Sequence, residues 1–212
     1  MLKLLGAVTL LWFVLANPLF IVAQPPTPVL DTTGQALRAG VGYYIVPNAS
    51  NRGGTVTLVS RNTSCPLFVG QENPVGAAGL PVIFTPDIPS ATIGQSRDFT
   101  VAFDASTICV QSTEWTLESN PSSQERTLIA TGGSSTNRRL FLRIDRDSNG
   151  YKLVFCPSNC PTCRFRCGDV GVYTEKSGRR LLALYYPPAL CGYNLSDFPD
   201  CITCQIRKRQ LS

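Results

Sequence analysis

Four cysteines, Cys156, Cys160, Cys163 and Cys167, fall within the stretch Tyr151–Tyr173, YKLVFCPSNCPTCRFRCGDVGVY. Thiols this close together can hold a metal, exchange electrons or cross-link a loop. Zinc sites made of cysteine alone usually consist of two separated Cys-x-x-Cys knuckles, whereas these four sulfurs share one short run. Cys160-Pro161-Thr162-Cys163 has thioredoxin-type spacing. Such a pair is activated at a helix N-terminus in a βαβ unit, and neither is legible here. The favoured reading is nested disulfides, Cys156–Cys167 outside and Cys160–Cys163 inside. On the chain-entropy model the outer bridge contributes roughly 3 kcal/mol.

Asp145-Arg146-Asp147-Ser148-Asn149-Gly150 matches the first half of an EF-hand loop, but Cys156 stands where the loop needs its bidentate Glu. The stretch ends in Asn-Gly between two apolar runs, the signature of a hairpin turn. Histidine is absent. No Ser-His-Asp triad, Cys-His pair, histidine metal site or imidazole pH switch can be assembled. No cofactor is implied, and an enzyme is not expected for want of a nucleophile–base pair. The net charge of +5 is diffuse apart from Arg207-Lys208-Arg209. A nucleic-acid binder would carry a denser basic stripe with aromatics in it.

The compartment decides what nine cysteines do. Lys3 precedes an apolar run, Leu4–Leu15, and Pro25, Pro26 and Pro28 follow. This reads as a secretory signal cleaved after Ala23, with Ala16 an alternative and a membrane anchor the rival reading. Residues 24–212 then form a single domain with a Cys-containing C-terminal tail, secreted or vacuolar and free of the membrane. Oxidising conditions make disulfides the default, and Cys65 would pair with Cys109. Cys191, Cys201 and Cys204 remain, an odd number, so one thiol is free or joins a second chain in a disulfide-linked dimer. Cys191 with Cys201 or Cys204 is the preferred internal pair. Asn48, Asn62 and Asn194 open Asn-x-Ser/Thr sequons.

The elements that must position these residues are short. β-like runs are expected at Gly42–Val46, Thr55–Val59, Leu67–Gln71, Pro81–Phe84, Phe99–Phe103 and Trp115–Glu118. More are expected at Thr127–Ala130, Leu140–Asp145, Tyr151–Phe155, Val170–Thr174 and Leu181–Leu184. Beyond the leader no window of ten or more residues has a 3.6-residue apolar period. Short strands separated by Gly, Asn, Ser and Pro predict an all-β barrel or sandwich. GYYIVP, DFTVAF and GYKLVF recur at intervals near fifty residues, a spacing that suits a threefold trefoil.

Pro28-Val29-Leu30-Asp31-Thr32-Thr33-Gly34 and Leu37 to Pro47 resemble the opening of the plant Kunitz inhibitors typified by soybean trypsin inhibitor. The resemblance continues through Cys65-Pro66-Leu67, Gly79 to Phe84, and Cys109 followed by Trp115. Tyr151 to Pro157, Cys167 to Tyr173 and Arg179 to Leu184 extend it. It covers about Pro28 to Leu184, and the four-cysteine spacing is nearest the miraculin-like branch. It implies a twelve-stranded β-trefoil, the Cys65–Cys109 bridge, the nested bridges and inhibition of serine proteases through one exposed substrate-like loop. By motif that loop is Thr85 to Thr92, with Pro86, Asp87, Ile88, Pro89 and Ser90 at its centre.

Two departures count against trypsin as the target. Trypsin-directed members carry Arg or Lys where this chain has Ile88 or Pro89, and a trypsin pocket wants a cation opposite its buried acid. The asparagine that braces the loop in inhibitory members corresponds to Ala39. Arg138-Arg139 and Lys176–Arg180 offer basic bonds elsewhere, though Arg179-Arg180 reads as the start of a strand. The alternative is a non-inhibitory binding, storage or signalling protein on the same scaffold. A miraculin-like acid switch would most readily use histidine, and Cys65-Pro66-Leu67 alone does not make a chlorophyll site.

Overall fold

Strand β1 (Gly42–Pro47) buries Tyr43 and Ile45 and leaves the residues between them partly accessible, the period-two pattern of a sheet with one face on the core. This pattern repeats through the computed structural model. It describes residues 25–48, 53–61, 65–109, 112–118, 126–132, 139–147, 150–156, 167–185, 200–201 and 203–210. The strands that follow are β2 (Val56–Val59), β3 (Phe68–Gln71), β4 (Val82–Pro86), β5 (Phe99–Phe103), β6 (Trp115–Leu117) and β7 (Arg126–Thr131). Then come β8 (Arg143–Asp147), β9 (Gly150–Phe155), β10 (Gly168–Thr174), β11 (Arg180–Tyr185), β12 (Asp200–Cys201) and β13 (Thr203–Lys208). Among the described residues there is no helix.

The pairings define two layers. β1 pairs with β4, β4 with β5, β8 with β9, β9 with β13, and β13 returns to β1, all antiparallel. The remaining gap, from β5 to β8, is closed by Phe99 and Leu142, which exchange backbone hydrogen bonds of 3.0 and 2.9 Å. The six strands therefore make a closed ring without a free edge. The hairpins β2–β3, β6–β7 and β10–β11 form the other layer. β3 meets β7, β7 meets β11 and β11 meets β3, a triangle of hairpins over one end of the barrel. Phe68, Leu128, Ala130, Leu181 and Ala183 form a small apolar cluster among them.

This is a β-trefoil. β1–β4, β5–β8 and β9–β13 are its three units, and taking β12 and β13 as one interrupted segment gives twelve strands. GYYIVP, DFTVAF and GYKLVF belong to β1, β5 and β9, the first strand of each unit. Their faint likeness is the internal repeat. The barrel is filled by aromatics at inward positions. Phe84 meets Phe99 edge-on at 5.4 Å between ring centroids and Tyr43 at 6.2 Å, geometries favoured by the ring quadrupoles. Gly70 has a steric reason: a Cβ there would stand 2.6 Å from the Arg180 carbonyl oxygen, too close for any side chain where β3 crosses β11.

The disulfide Cys65–Cys109 ties the β2–β3 connection to the β5–β6 connection, and Cys156–Cys167 joins the end of β9 to the start of β10. Asp147 pairs with Gly150 across the β8–β9 hairpin, where the sequence resembled half a calcium loop. Residues 1–23, expected to be a leader, and Cys160, Cys163, Cys191, Asn62, Asn194 and Arg138 lie outside the described residues.

The C-terminal segment departs from expectation. Positions 203–208, read as part of a tail, form β13, the strand that completes the barrel between β1 and β9. Alternation turns Cys204 and Ile206 inward, at 0% and 1% exposure. Cys204, considered above for an additional or intermolecular bridge, is instead a free thiol in the core. Burial pushes its pKa up to about 12, because the thiolate would lose its hydration. No second chain can reach it without unfolding.

Two outcomes follow from an integral β13. Ile206→Ala should cost about 2–5 kcal/mol in a denaturant melt, as for other large-to-small core changes; a dangling tail would give no change. Cys204 should resist alkylation by iodoacetamide in the native protein and react in denaturant, read by peptide mass mapping.

Candidate functional site

The β4–β5 connection, 87–98, is the loop that the sequence singled out. Its base is closed by the pairing of Pro86 with Phe99 and by the Asp87 N–H donating to the Asp98 carbonyl at 2.9 Å. Residues 87 to 92 are all exposed, and Ile88 has 71% of its surface in water. Pro89 follows it directly. The Thr92 N–H donates to the Ser90 hydroxyl at 3.2 Å, a local hydroxyl-closed turn just past the exposed bond.

The N-terminal segment holds the far side of this loop. Ala39 N–H donates to the Ala91 carbonyl at 3.0 Å, Ile93 N–H to Leu37 at 2.9 Å, and Val29 N–H to Ile93 at 2.9 Å. Ile93 is a buried hook at 1% exposure. Gln95 adds its N–H to the Thr27 carbonyl at 2.8 Å and its side-chain amide to the Pro28 carbonyl at 3.0 Å. With alanine at 39 no side-chain amide extends from that position, and the brace there is made by the backbone.

The segment is itself pinned to the barrel. Tyr43 and Tyr151 bury their rings and offer their hydroxyl oxygens at the rim, where they accept from Arg38 N–H at 2.9 Å and Leu30 N–H at 3.0 Å. Asp31 Oδ1 closes the turn between, accepting from Thr33 N–H, Thr33 Oγ1 and Gln35 N–H at 2.8, 2.6 and 3.0 Å. Burial opposes ionisation of this carboxyl. The hydrogen bonds and the Lys208 charge outweigh burial and hold its pKa below the usual value.

Two contacts on the return of the loop had no signal in the sequence. Ser96 takes φ of 54°, the left-handed region that costs a residue with a Cβ. Its N–H donates to the Ile144 carbonyl at 3.0 Å and its hydroxyl to Asp145 Oδ1 at 2.6 Å. Buried Asp98 accepts from Arg143 Nε at 2.6 Å. Both contacts join the loop to β8, more than forty residues on, so no local spacing rule could find them. Pro86, Ile88, Ser90, Arg97 and Arg143 help line a groove of about 410 Å³ beside the loop.

Described basic residues that the sequence offered elsewhere are engaged within the fold. Arg179 donates to Glu175 at 2.7 Å and to the Ser60 and Arg61 carbonyls at 3.1 and 2.6 Å, and Arg180 donates twice to Gln71 Oε1. Arg139 pairs with Glu114 at 3.4 Å. Asp169 is buried with Lys152 at 3.6 Å, and burial pushes its pKa up. Asn48 stands at the end of β1, where its side-chain carbonyl accepts from Gln205 Nε2 at 2.9 Å. Among the described residues no group of three metal-binding side chains converges.

Among the described residues the barrel displays a braced, solvent-exposed loop between β4 and β5, an arrangement suited to a protein that acts by presenting a shape. Residues 29–191 match the legume Kunitz family, described as trypsin and protease inhibitor, and the chain belongs to that family. Kunitz type trypsin inhibitor 106 of Medicago truncatula is 42% identical over 165 residues, 74% of this chain and 80% of the relative. Miraculin of Synsepalum dulcificum is 35% identical over 194 residues, 84% of this chain and 88% of that one. The solved structure of the bifunctional alpha-amylase/subtilisin inhibitor of Oryza sativa superposes with a TM-score of 0.66 at 33% identity, covering 87% of this chain and all of that one.

The loop anchors generate a test. Arg143→Ala removes the charged donor to Asp98 and should cost about 1–3 kcal/mol, the range for a buried acceptor losing a partner. Limited proteolysis should become faster at 87–98 than elsewhere. Uniform acceleration over the whole chain would mean that Arg143 supports the barrel and not the loop.

Proposed function

We propose that this chain inhibits an endopeptidase by inserting Pro86–Ser90 into the active-site cleft as a substrate would, with Ile88 in the primary pocket. The observation that carries this reading is Ile88 itself, 71% exposed at the crest of a loop held on both flanks. A loop already ordered in free solution has little conformational entropy left to lose on binding. Its target is a serine protease with an apolar primary pocket. A trypsin pocket presents a buried acid that needs a cation, and none stands at 88 or 89. The name of the rice relative, an alpha-amylase/subtilisin inhibitor, supports a target other than trypsin. The molecule acts as an inhibitor and not as a catalyst.

Pro89 shapes the mechanism. It supplies no N–H to the protease and fixes φ near −65°, so the Ile88–Pro89 bond is stiff and a poor substrate bond. That same residue favours the second reading, a non-inhibitory binding, storage or defence-signalling protein, and the likeness to miraculin points the same way. The protein is secreted or vacuolar, with 1–23 as its signal. Asn48, Asn62 and Asn194 carry glycans in this reading, and Cys160–Cys163 is the inner bridge.

Inhibition of trypsin, chymotrypsin, subtilisin, elastase, papain and an aspartic protease by the oxidised protein separates the two readings. Activity on an apolar-pocket serine protease is the expected result, and inactivity on all six favours the second. Ile88→Arg with Pro89→Ile should create trypsin inhibition, by on the order of 100-fold or more for a newly paired buried charge. Unchanged trypsin affinity would remove this loop as the reactive site.

A further inference from the structure

Asn48 directly follows β1 and opens the sequon Asn48-Ala49-Ser50. Its amide is fixed in direction. Gln205 Nε2 donates to Asn48 Oδ1 at 2.9 Å. Asn48 Nδ2, the atom to which a glycan is joined, lies 3.5 Å from where a Gly150 Cβ would stand. Gly150 and Gln205 are also part of the lining of a hollow of about 370 Å³, within the roughly 300–1,000 Å³ of small-ligand sites. Leu30, Asp31, Thr32 and Arg146 line it as well. These groups are mixed in kind. Arg146 is exposed, and one of its N–H groups donates to the Tyr151 hydroxyl at 3.3 Å; a guanidinium carries about five. Asp31 is 7% exposed, and its Oδ2 has no hydrogen-bond partner among the described residues. Apolar Leu30 is left 37% exposed beside them.

From this placement we propose that the hollow seats the protein's own glycan: the N-acetylglucosamine joined to Asn48 lies in it, between the N-terminal segment and β13. The inference rests on Asn48 being glycosylated, as in the function proposed above. The chemistry of the sugar matches the lining. Its hydroxyls are donors for a carboxylate, its acetamido carbonyl is an acceptor for a guanidinium, and the C–H face of its ring can cover Leu30. A glycan ordinarily extends from the surface into solvent. A tethered sugar, however, is present beside the hollow at roughly millimolar effective concentration, so contacts too weak to capture a free sugar still fill the site. The seat matters because of what its lining holds. Leu30 N–H donates to the Tyr151 hydroxyl at 3.0 Å, and Thr32 N–H to the Ile206 carbonyl at 2.8 Å. Both bonds fasten the segment that braces the β4–β5 loop, and a sugar seated beside them stiffens that brace.

Native-state hydrogen exchange tests this on protein secreted from a eukaryotic host, with peptide mass mapping to read occupancy at Asn48. Ser50→Ala supplies the unglycosylated form, because it removes the acceptor pattern and leaves Asn48 itself in place. The Leu30 and Thr32 amides should exchange about tenfold more slowly with the glycan than without it, the effect of one or two net hydrogen bonds. Trimming the glycan to its first N-acetylglucosamine with endoglycosidase H should preserve the slowing, since that sugar is the one seated. Arg146→Ala alters exchange in both forms through Tyr151, but the difference between the forms should shrink to within about twofold, as a double-mutant cycle reads a lost contact. Circular dichroism verifies that each variant keeps the fold. An unoccupied Asn48 removes the glycosylation reading and this inference with it. An occupied Asn48 with equal exchange in both forms overturns the seat alone. So does a slowing that is lost on trimming or survives Arg146→Ala in full.

Discussion

Closure of the barrel by β13 is the constraint on which the rest depends. Among the described residues β1 and β9 do not pair with each other, and β13 between them completes the ring. It does so while burying Cys204 and Ile206. The Ile206 carbonyl then accepts from the Thr32 N–H at 2.8 Å, which sets the N-terminal segment over the rim. The same segment forms the ladder against residues 91–95. The last strand of the chain thus positions the first described segment, and that segment braces the loop between β4 and β5.

The organisation explains how a protein without histidine can act on enzymes. The loop holds no nucleophile–base pair, and buried carboxylates stand against fixed neighbours: Asp98 with Arg143, Asp31 with its turn, Asp169 beside Lys152. In the proposed reading, function depends on presenting a short segment in one conformation. The cost of ordering it is met during folding, through backbone hydrogen bonds, and not at the moment of binding. Chain stiffness does here what catalytic groups do in an enzyme.

The threefold plan carries a corollary for where loops can change. The barrel strands and the hairpin triangle share one continuous core, so substitutions there are felt throughout the fold. Connections between strands point outward and bear exposed Ile88 and Ile108. Loops can vary at little cost to the barrel, provided that anchors such as Ile93, Asp98 and Cys109 remain.

Much of the fold was legible in the sequence. Alternating Tyr43 and Ile45, or Leu153 and Phe155, announce strands because side chains of a strand face opposite sides in turn. Motif order identified the trefoil and pointed to the β4–β5 connection around Ile88. β13 was not legible, since four of the six residues of TCQIRK are polar or charged and its apolar positions matter only once β1 and β9 stand on either side. Nor was the burial of Cys204 as a free thiol, because counting cysteines cannot say which of them face a core. The pairs Asp98–Arg143 and Ser96–Asp145 join residues 45 and 49 apart in sequence. By itself the sequence determined the family and most of the strands, because those rest on local period and motif. Only the tertiary structure decided what closes the barrel, what braces the loop and which cysteine is sealed inside, because each depends on residues that meet through folding.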